Sequence, residues 1–497
     1  MKKLLFALFA AVFAVSIIGC SNSSGGDSPA EQTPPAEQTP PAEPTMQETP
    51  LTLEAIAAGT ITLENPWSTL KYKKNGGDFV SVTANANTIT VAAGDKVAFY
   101  ADGSENIYDL DTLTMILFNI SCSSDCYVYG NVMSLLSSSN FKNTTLISTE
   151  YAFAELFYYH DYSANISTNT HIKNHAQKAL VLPVTTLAEG CYYRMFQGCK
   201  GLTRTPSLPA TTLAKECYYQ MFYGCTGLTS APSLPATTLK DICYMEMFYD
   251  CTGLTSAPTL PATTLADYCY GGMFYGCTGL TSAPALPATT LAGSCYSQMF
   301  YGCTGLTSAP VLPATTLSVN CYSGMFYGCT GLTTAPVLPA TTLTDFCYAS
   351  MFYGCTGLTT APTLPATTLS DYCYEQMFYG CTGFTTAPVL PATTLTILCY
   401  YQMFYGCTGL TSAPVLLSTT LVSGCYWGMF YGCTNLSSVT CLATNISAYN
   451  CTEEWLCGVA STGTFTKAAS MTSWATSTTD NTSGIPEGWT VAVYSAQ

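Results

Sequence analysis

The sequence predicts an α/β repeat fold: a solenoid of 26-residue strand–helix coils, preceded by a small all-β domain. Three observations predict it. A cysteine recurs at a step of 26 residues, at Cys191, Cys217, Cys243, Cys269, Cys295, Cys321, Cys347, Cys373, Cys399 and Cys425, and a second follows each one eight residues later, from Cys199 to Cys433. Ten copies in register mark a solenoid. Within one unit Leu213, Cys217, Met221 and Cys225 are spaced by four with Phe222 beside them, which predicts one apolar helical face. Ahead of the array, residues 51–105 alternate in strand fashion between Asn-Gly-Gly and Ala-Gly-Asp turns.

Composition bounds the rest. The 497 residues are 48% hydrophobic and 9% charged, so the chain has ample material for a packed core. Its formal charge of -15 and the lack of a basic stripe exclude a nucleic-acid partner, whose phosphates require clustered Lys and Arg.

The elements follow in order. Residues 1–20 read as a secretion signal: Lys2 and Lys3 precede an apolar run from Leu4 to Ile18, too short to span a membrane, which ends at Gly19-Cys20. Residues 21–50 hold Asp27, Glu31, Glu37, Glu43 and Glu48, no basic residue, and a repeated TPPAE, the composition of an extended stalk. Residues 51–105 are the β domain, with "LTLEAIAAGTITLE", "FVSVTA" and "NTITVAAGDKVAFYA" as its strands. In residues 106–180, "YVYGNVMSLL" and "YAFAELFYY" read as leading coils that shield the open end of the array. The array occupies 181–457. In each unit Thr211 or Thr212 caps the helix, Gly224 stops it, and Leu228–Ala231 form a short strand. Pro232 and Pro235 lack N–H donors, so strand pairing is expected to lapse there on every coil. After Cys433 the pattern decays, with Trp455-Leu456 in place of Met-Phe, and residues 458–497 read as a closing cap.

The repeated "MFxGCTGLTxAP-LPATTLxxxCYxxMF" resembles the BspA-type leucine-rich repeats of bacterial surface lipoproteins, and Ile17-Ile18-Gly19-Cys20 resembles a lipobox. The first resemblance implies a leucine-rich-repeat solenoid displayed on the cell surface for adhesion to host or neighbouring-cell molecules. The second implies lipidation of Cys20 and anchoring at the bacterial surface or outer membrane, with no other membrane contact. The expected partner is an extracellular protein or polysaccharide. The alternative function is a structural envelope or antigenic-spacer protein with no dedicated ligand.

Site chemistry is sparse. The array's carboxylates, such as Glu216, Asp241 and Asp267, occupy variable positions and form no fixed acid/base pair, so no enzyme is predicted. No cofactor is implied. Zinc is disfavoured because no short Cys-x2-Cys pairs occur. Among His160, His171 and His175, "HIKNH" places two at a helical i, i+4 step but lacks a metalloprotease glutamate, so no metal is assigned. The array cysteines read as buried thiols, with disulfides as the alternative, and Cys122 with Cys126 is the better candidate for a bridge. A row of hydroxyls at Thr229, Thr255, Thr281, Thr307, Thr333, Thr359, Thr385 and Thr411 is the candidate binding ladder, and the recurring Tyr218 and Tyr223 positions add aromatics. Such rows suit a repetitive ligand, and equally suit a sheet that needs Thr and packing Tyr.

Overall fold

The computed structural model describes residues 46–495 except 106, 110–113, 144–146, 148, 159–168, 473 and 478–481. The signal, Cys20, most of the stalk and His160 lie outside the described residues.

Strands β1 (Thr52–Ala55), β2 (Gly59–Glu64), β3 (Lys71–Lys74), β4 (Val80–Ser81), β5 (Thr88–Val91) and β6 (Lys96–Tyr100) follow the predicted alternation. They are joined by β7 (Ile107–Asp109), β8 (Thr114–Ile116), β9 (Asn119–Cys122) and β10 (Cys126–Asn131). One sheet runs β10-β1-β6-β3-β4, a second runs β5-β2-β9, and β7 pairs with β8 alone. Leu53, Ile61, Leu63, Val97, Phe99, Ile120 and Val128 are buried between them. The β structure therefore extends past residue 105, because β9 and β10 complete both sheets.

β10 also joins the domain to the array. It pairs in parallel with β11 (Ile172–Asn174) and β12 (Leu180–Val181), the first strands of the stack. The predicted leading coil is present at residues 151–157. Its Phe153 and Phe157 N–H groups donate to Cys191 and Met195 carbonyls, and their rings stack on Tyr192 and Phe196 at 5.7 and 5.4 Å.

The α/β expectation is corrected: the described residues contain no α-helix, so the array is a leucine-rich-repeat solenoid without strand–helix coils. The segment read as helical is a ribbon of four-residue turns. In one coil Glu216, Gln220 and Gly224 take the left-handed conformation, with φ of 57°, 51° and 68°. The N–H groups of Cys217, Tyr219, Met221, Tyr223 and Cys225 close turns onto the carbonyl three residues back, at 3.0–3.4 Å. The alternate N–H groups, of Glu216, Tyr218, Gln220, Phe222 and Gly224, donate to Asp241, Cys243, Met245, Met247 and Tyr249 of the next coil at 2.7–3.2 Å. Half the donors thus close turns and half tie neighbouring coils, so a buried backbone is satisfied without a helix.

Each four-residue step places two side chains inward. Cys217-Tyr218 and Met221-Phe222 are buried, whereas Tyr219 and Tyr223 lie at the flank. The left-handed position explains why glycine returns every fourth residue at Gly424, Gly428 and Gly432, where no Cβ opposes positive φ.

The proline expectation holds. Where both prolines are present the strand is reduced to isolated bridges such as Ser308↔Thr334. Leu417 replaces the second proline of its coil and the next coil has none. There a parallel sheet appears: β13 (Ser412–Leu416), β14 (Ser438–Cys441), β15 (Thr464–Lys467) and β16 (Thr490–Val493) pair in that order. With the second proline gone the ladder resumes beyond Pro414, where the register shifts between Ser412 and Val415. Because β15 and β16 continue this sheet, the C-terminal segment closes the stack instead of forming a separate module.

Candidate binding surface

The thiols are structural. The 25 cysteines of the described residues are free, and all but Cys457 are buried. In the second row, Cys225, Cys277, Cys303 and their equivalents through Cys433 each donate Sγ–H to a phenylalanine carbonyl of the preceding coil at 3.0 Å, Cys225 to Phe196 and Cys303 to Phe274. A small side chain with one weak donor fits that gap, which accounts for cysteine there. Cys122 and Cys126, the expected bridge, are likewise free thiols, and Cys126 Sγ–H donates to the Ser124 carbonyl at 3.5 Å. The neighbouring Cys126 thiol, and then burial, push the Cys122 thiol up.

A pH dependence follows. Burial pushes Cys269, Cys321, Cys355, Cys399 and Cys433 up to about 12 from an ordinary 9.0. A raised folded-state value means that the unfolded chain releases its protons first, so stability is full below pH 9 and declines between pH 9 and 12. Denaturant midpoints should therefore be flat from pH 6 to 8 and fall steeply above 9. A midpoint still flat at pH 11 would show that these thiols do not titrate between the states.

The two histidines do not converge. His171 Nδ1 meets Asp125 at 2.9 Å, while His175 Nδ1 accepts from the Gln177 and Lys178 N–H groups at 3.0 and 3.1 Å. They flank strand β11, where a step of four does not have its helical meaning. Among the described residues no group of three metal-ligating side chains occurs.

The threonine row is exposed along its whole length. Thr229, Thr255, Thr307, Thr333 and Thr411 donate their hydroxyls to the carbonyls of Thr203, Thr229, Thr281, Thr307 and Thr385 at 3.2–3.5 Å. Those hydroxyl protons tie coil to coil, leaving oxygen lone pairs and methyl groups toward a ligand. The Tyr218 row is core, with about 1% exposure at each ring. Gln220, at a position that varies between coils, is buried and links Arg194 to Glu246 at 2.7 and 2.5 Å.

Sequence reasoning passed over the most exposed apolar row. Of the two residues between the prolines of a coil the second, a leucine, is buried and the first points outward: Val311, Val337 and Val389 are 78%, 70% and 77% exposed. Adjacent coils frame shallow apolar furrows beside it. One, of about 280 Å³, lies among Pro258, Leu260, Pro261, Pro284 and Pro287. Its equivalent four repeats further on, of about 310 Å³, lies among Pro362, Leu364, Pro365, Pro388 and Pro391. The signal was present in the sequence: this position reads Ser233, Thr259, Ala285, Val311, Val337, Thr363, Val389 between residues that hardly change. The face presents one outward side chain per coil, with apolar furrows at two places along it and little charge, able to take an extended apolar segment.

The family model for the BspA type leucine-rich repeat region matches residues 164–307, 248–385, 293–415 and 323–452, with six copies. Together these matches span more than half of the 497 residues. No curated protein matches the chain significantly.

Proposed function

This chain belongs to the BspA type leucine-rich repeat family, a non-enzymatic repeat family, and from that premise we propose that it is a lipid-anchored cell-surface binding protein. Cys20 carries the anchor, residues 21–50 act as the stalk, and the array binds a host or neighbouring-cell macromolecule. The observation that carries the reading is that outward row itself. A row of equivalent exposed sites one coil apart gives many weak contacts along a scaffold, and linked weak contacts multiply into avidity. The furrow lined by Pro388, Val389 and Pro391, and the exposed Val311 and Val337 in the same row, favour an extended protein segment over a charged glycan.

The test has two parts. Protease shaving of intact cells should remove the chain while a periplasmic control survives; protection until lysis defeats surface display. Variants lacking one, two or four whole coils are then compared on an immobilised extracellular-matrix extract, beside a Val311→Lys/Val337→Lys/Val389→Lys variant. Retention should fall stepwise with coil number, and the triple variant should lose about tenfold or more of its binding. Binding indifferent to coil number would favour the spacer reading, which the internally committed threonine hydroxyls also suit.

A further inference from the structure

The two ends of the array differ. At the first, β10 of the preceding domain pairs with β11 and β12, so the opening strands of the stack are covered. At the other, β16 stands last in its sheet and pairs with β15 alone. A core row of the stack runs out through it. Val439, Phe465 and Val491 lie in register on successive strands and are 1%, 0% and 48% exposed. Val493, two places on and on the same face, is 58% exposed. Val491 is thus a core side chain with no coil packed on its outer side among the described residues.

Terminal coils ordinarily turn a polar face outward, and edge strands ordinarily carry a lysine, a proline or a bulge against stray pairing. Thr490–Val493 carries none of these: it reads TVAV, uncharged, and its pairing with β15 is continuous. The edge also fixes what can pair with it. The Thr490 and Tyr494 N–H groups donate to the Gly463 and Lys467 carbonyls at 2.8 Å. The alternate backbone groups, those of Val491 and Val493, therefore point away from β15. A second β16, turned about a two-fold axis through Ala492, offers the same pair of residues at the same spacing. Val491 of each copy then lies opposite Val493 of the other and exchanges both backbone bonds with it, and their side chains meet where the core row ends. Further stacking into a fibre is closed off, because it needs a free edge at the first coil, which β10 covers.

We propose that β16 is a homophilic docking edge, through which two copies of this chain form a closed, antiparallel, end-to-end pair. Joined to the anchor proposed above, such a pair would link chains on facing surfaces. That corollary rests on the surface reading; the pairing does not.

The chain from Ser21 onward, which keeps every described residue and takes no lipid, is followed by sedimentation velocity from about 0.1 to 100 µM. A reversible monomer–dimer equilibrium is expected. Val491→Lys/Val493→Lys sets like charges opposite one another and should weaken it about tenfold or more. Both side chains are half exposed in the single copy, so the coil keeps its packing. Val493→Pro removes an outward N–H, spares the bonds to β15, and should weaken association too. Ala492→Cys, on the axis, should cross-link to its own copy under mild oxidation. Thr490→Cys, which faces Tyr494 of the other copy, should not. Peptide mass spectrometry of the linked species reads the position. A chain monomeric across the range would overturn the proposal and leave the edge to a strand of another protein. So would a dimer that both edge variants leave unchanged, species larger than two, or equal cross-linking from positions 490 and 492. Failure of surface display in the shaving experiment would leave this solution dimer in place, so the two readings fail separately.

Discussion

Replacing Trp455 by alanine is expected to loosen the C-terminal end of the solenoid by about 3–5 kcal/mol while leaving the central coils intact. Trp455 is fully buried. It stacks on Trp474 at 5.3 Å and Tyr426 at 6.4 Å, meets Phe465 edge-on at 5.9 Å, and donates its indole N–H to the Gly484 carbonyl at 3.0 Å. Truncation opens a large cavity and strands that carbonyl at once. In a stack each coil touches only its neighbours, so the loss stays local. Hydrogen exchange read by mass spectrometry should quicken about a hundredfold or more in residues 438–493, since each 1.4 kcal/mol is tenfold. Exchange around residues 191–300 should be unchanged. A uniform change along the array would show that it unfolds as one cooperative block.

Gly331→Ala should cost about 3 kcal/mol or more. Its φ is ordinary; the obstacle is space. A Cβ at Gly331 would stand 2.5 Å from the Thr304 carbonyl oxygen and 3.2 Å from that of Leu306, both backbone atoms of the preceding coil. The same collision awaits at Gly253, Gly279, Gly305, Gly357 and Gly409, at 2.4–2.6 Å. Backbone cannot swing aside as a side chain can, so the coils must part. Gly328→Ala is the informative control: its φ is 68°, but nothing lies within 3.9 Å of the added carbon. It should show only the left-handed strain of about 1–2 kcal/mol. Urea unfolding monitored through the buried tyrosines separates the two. Equal losses at both positions would mean that close coil contact does not limit Gly331.

Much of this molecule was legible as sequence. The cysteine step gave the repeat, the prolines foretold where pairing lapses, and "YAFAELFYY" and Trp455-Leu456 marked the two ends. The helix was not there, and the reason is one of period. Leu213, Cys217, Met221 and Cys225 keep a strict spacing of four, while a helix turns every 3.6 residues, so that row drifts by about 40° per step. A helical face alternates steps of three and four. A strict four, with Gly424, Gly428 and Gly432 in the same register, belongs to a turn that resets at every fourth residue. The threonine row is exposed, and its hydroxyl bonds to the preceding coil depend on backbone geometry that spacing does not encode. The valine row was hidden because apolar residues are ordinarily assigned inward, and here the alternation with the buried leucine that follows sets this one outward.

The alternating hydrogen bonds carry a mechanical consequence. Those linking Tyr218 to Cys243 and Phe222 to Met247 run along the axis of the stack. A pull between its two ends loads them in tension, one seam at a time, instead of shearing a whole sheet together. Each seam that yields frees 26 residues, roughly 90 Å of extended chain at about 3.5 Å per residue. Under load the array would lengthen coil by coil, dissipating work at each step, and shorten again when the force is removed.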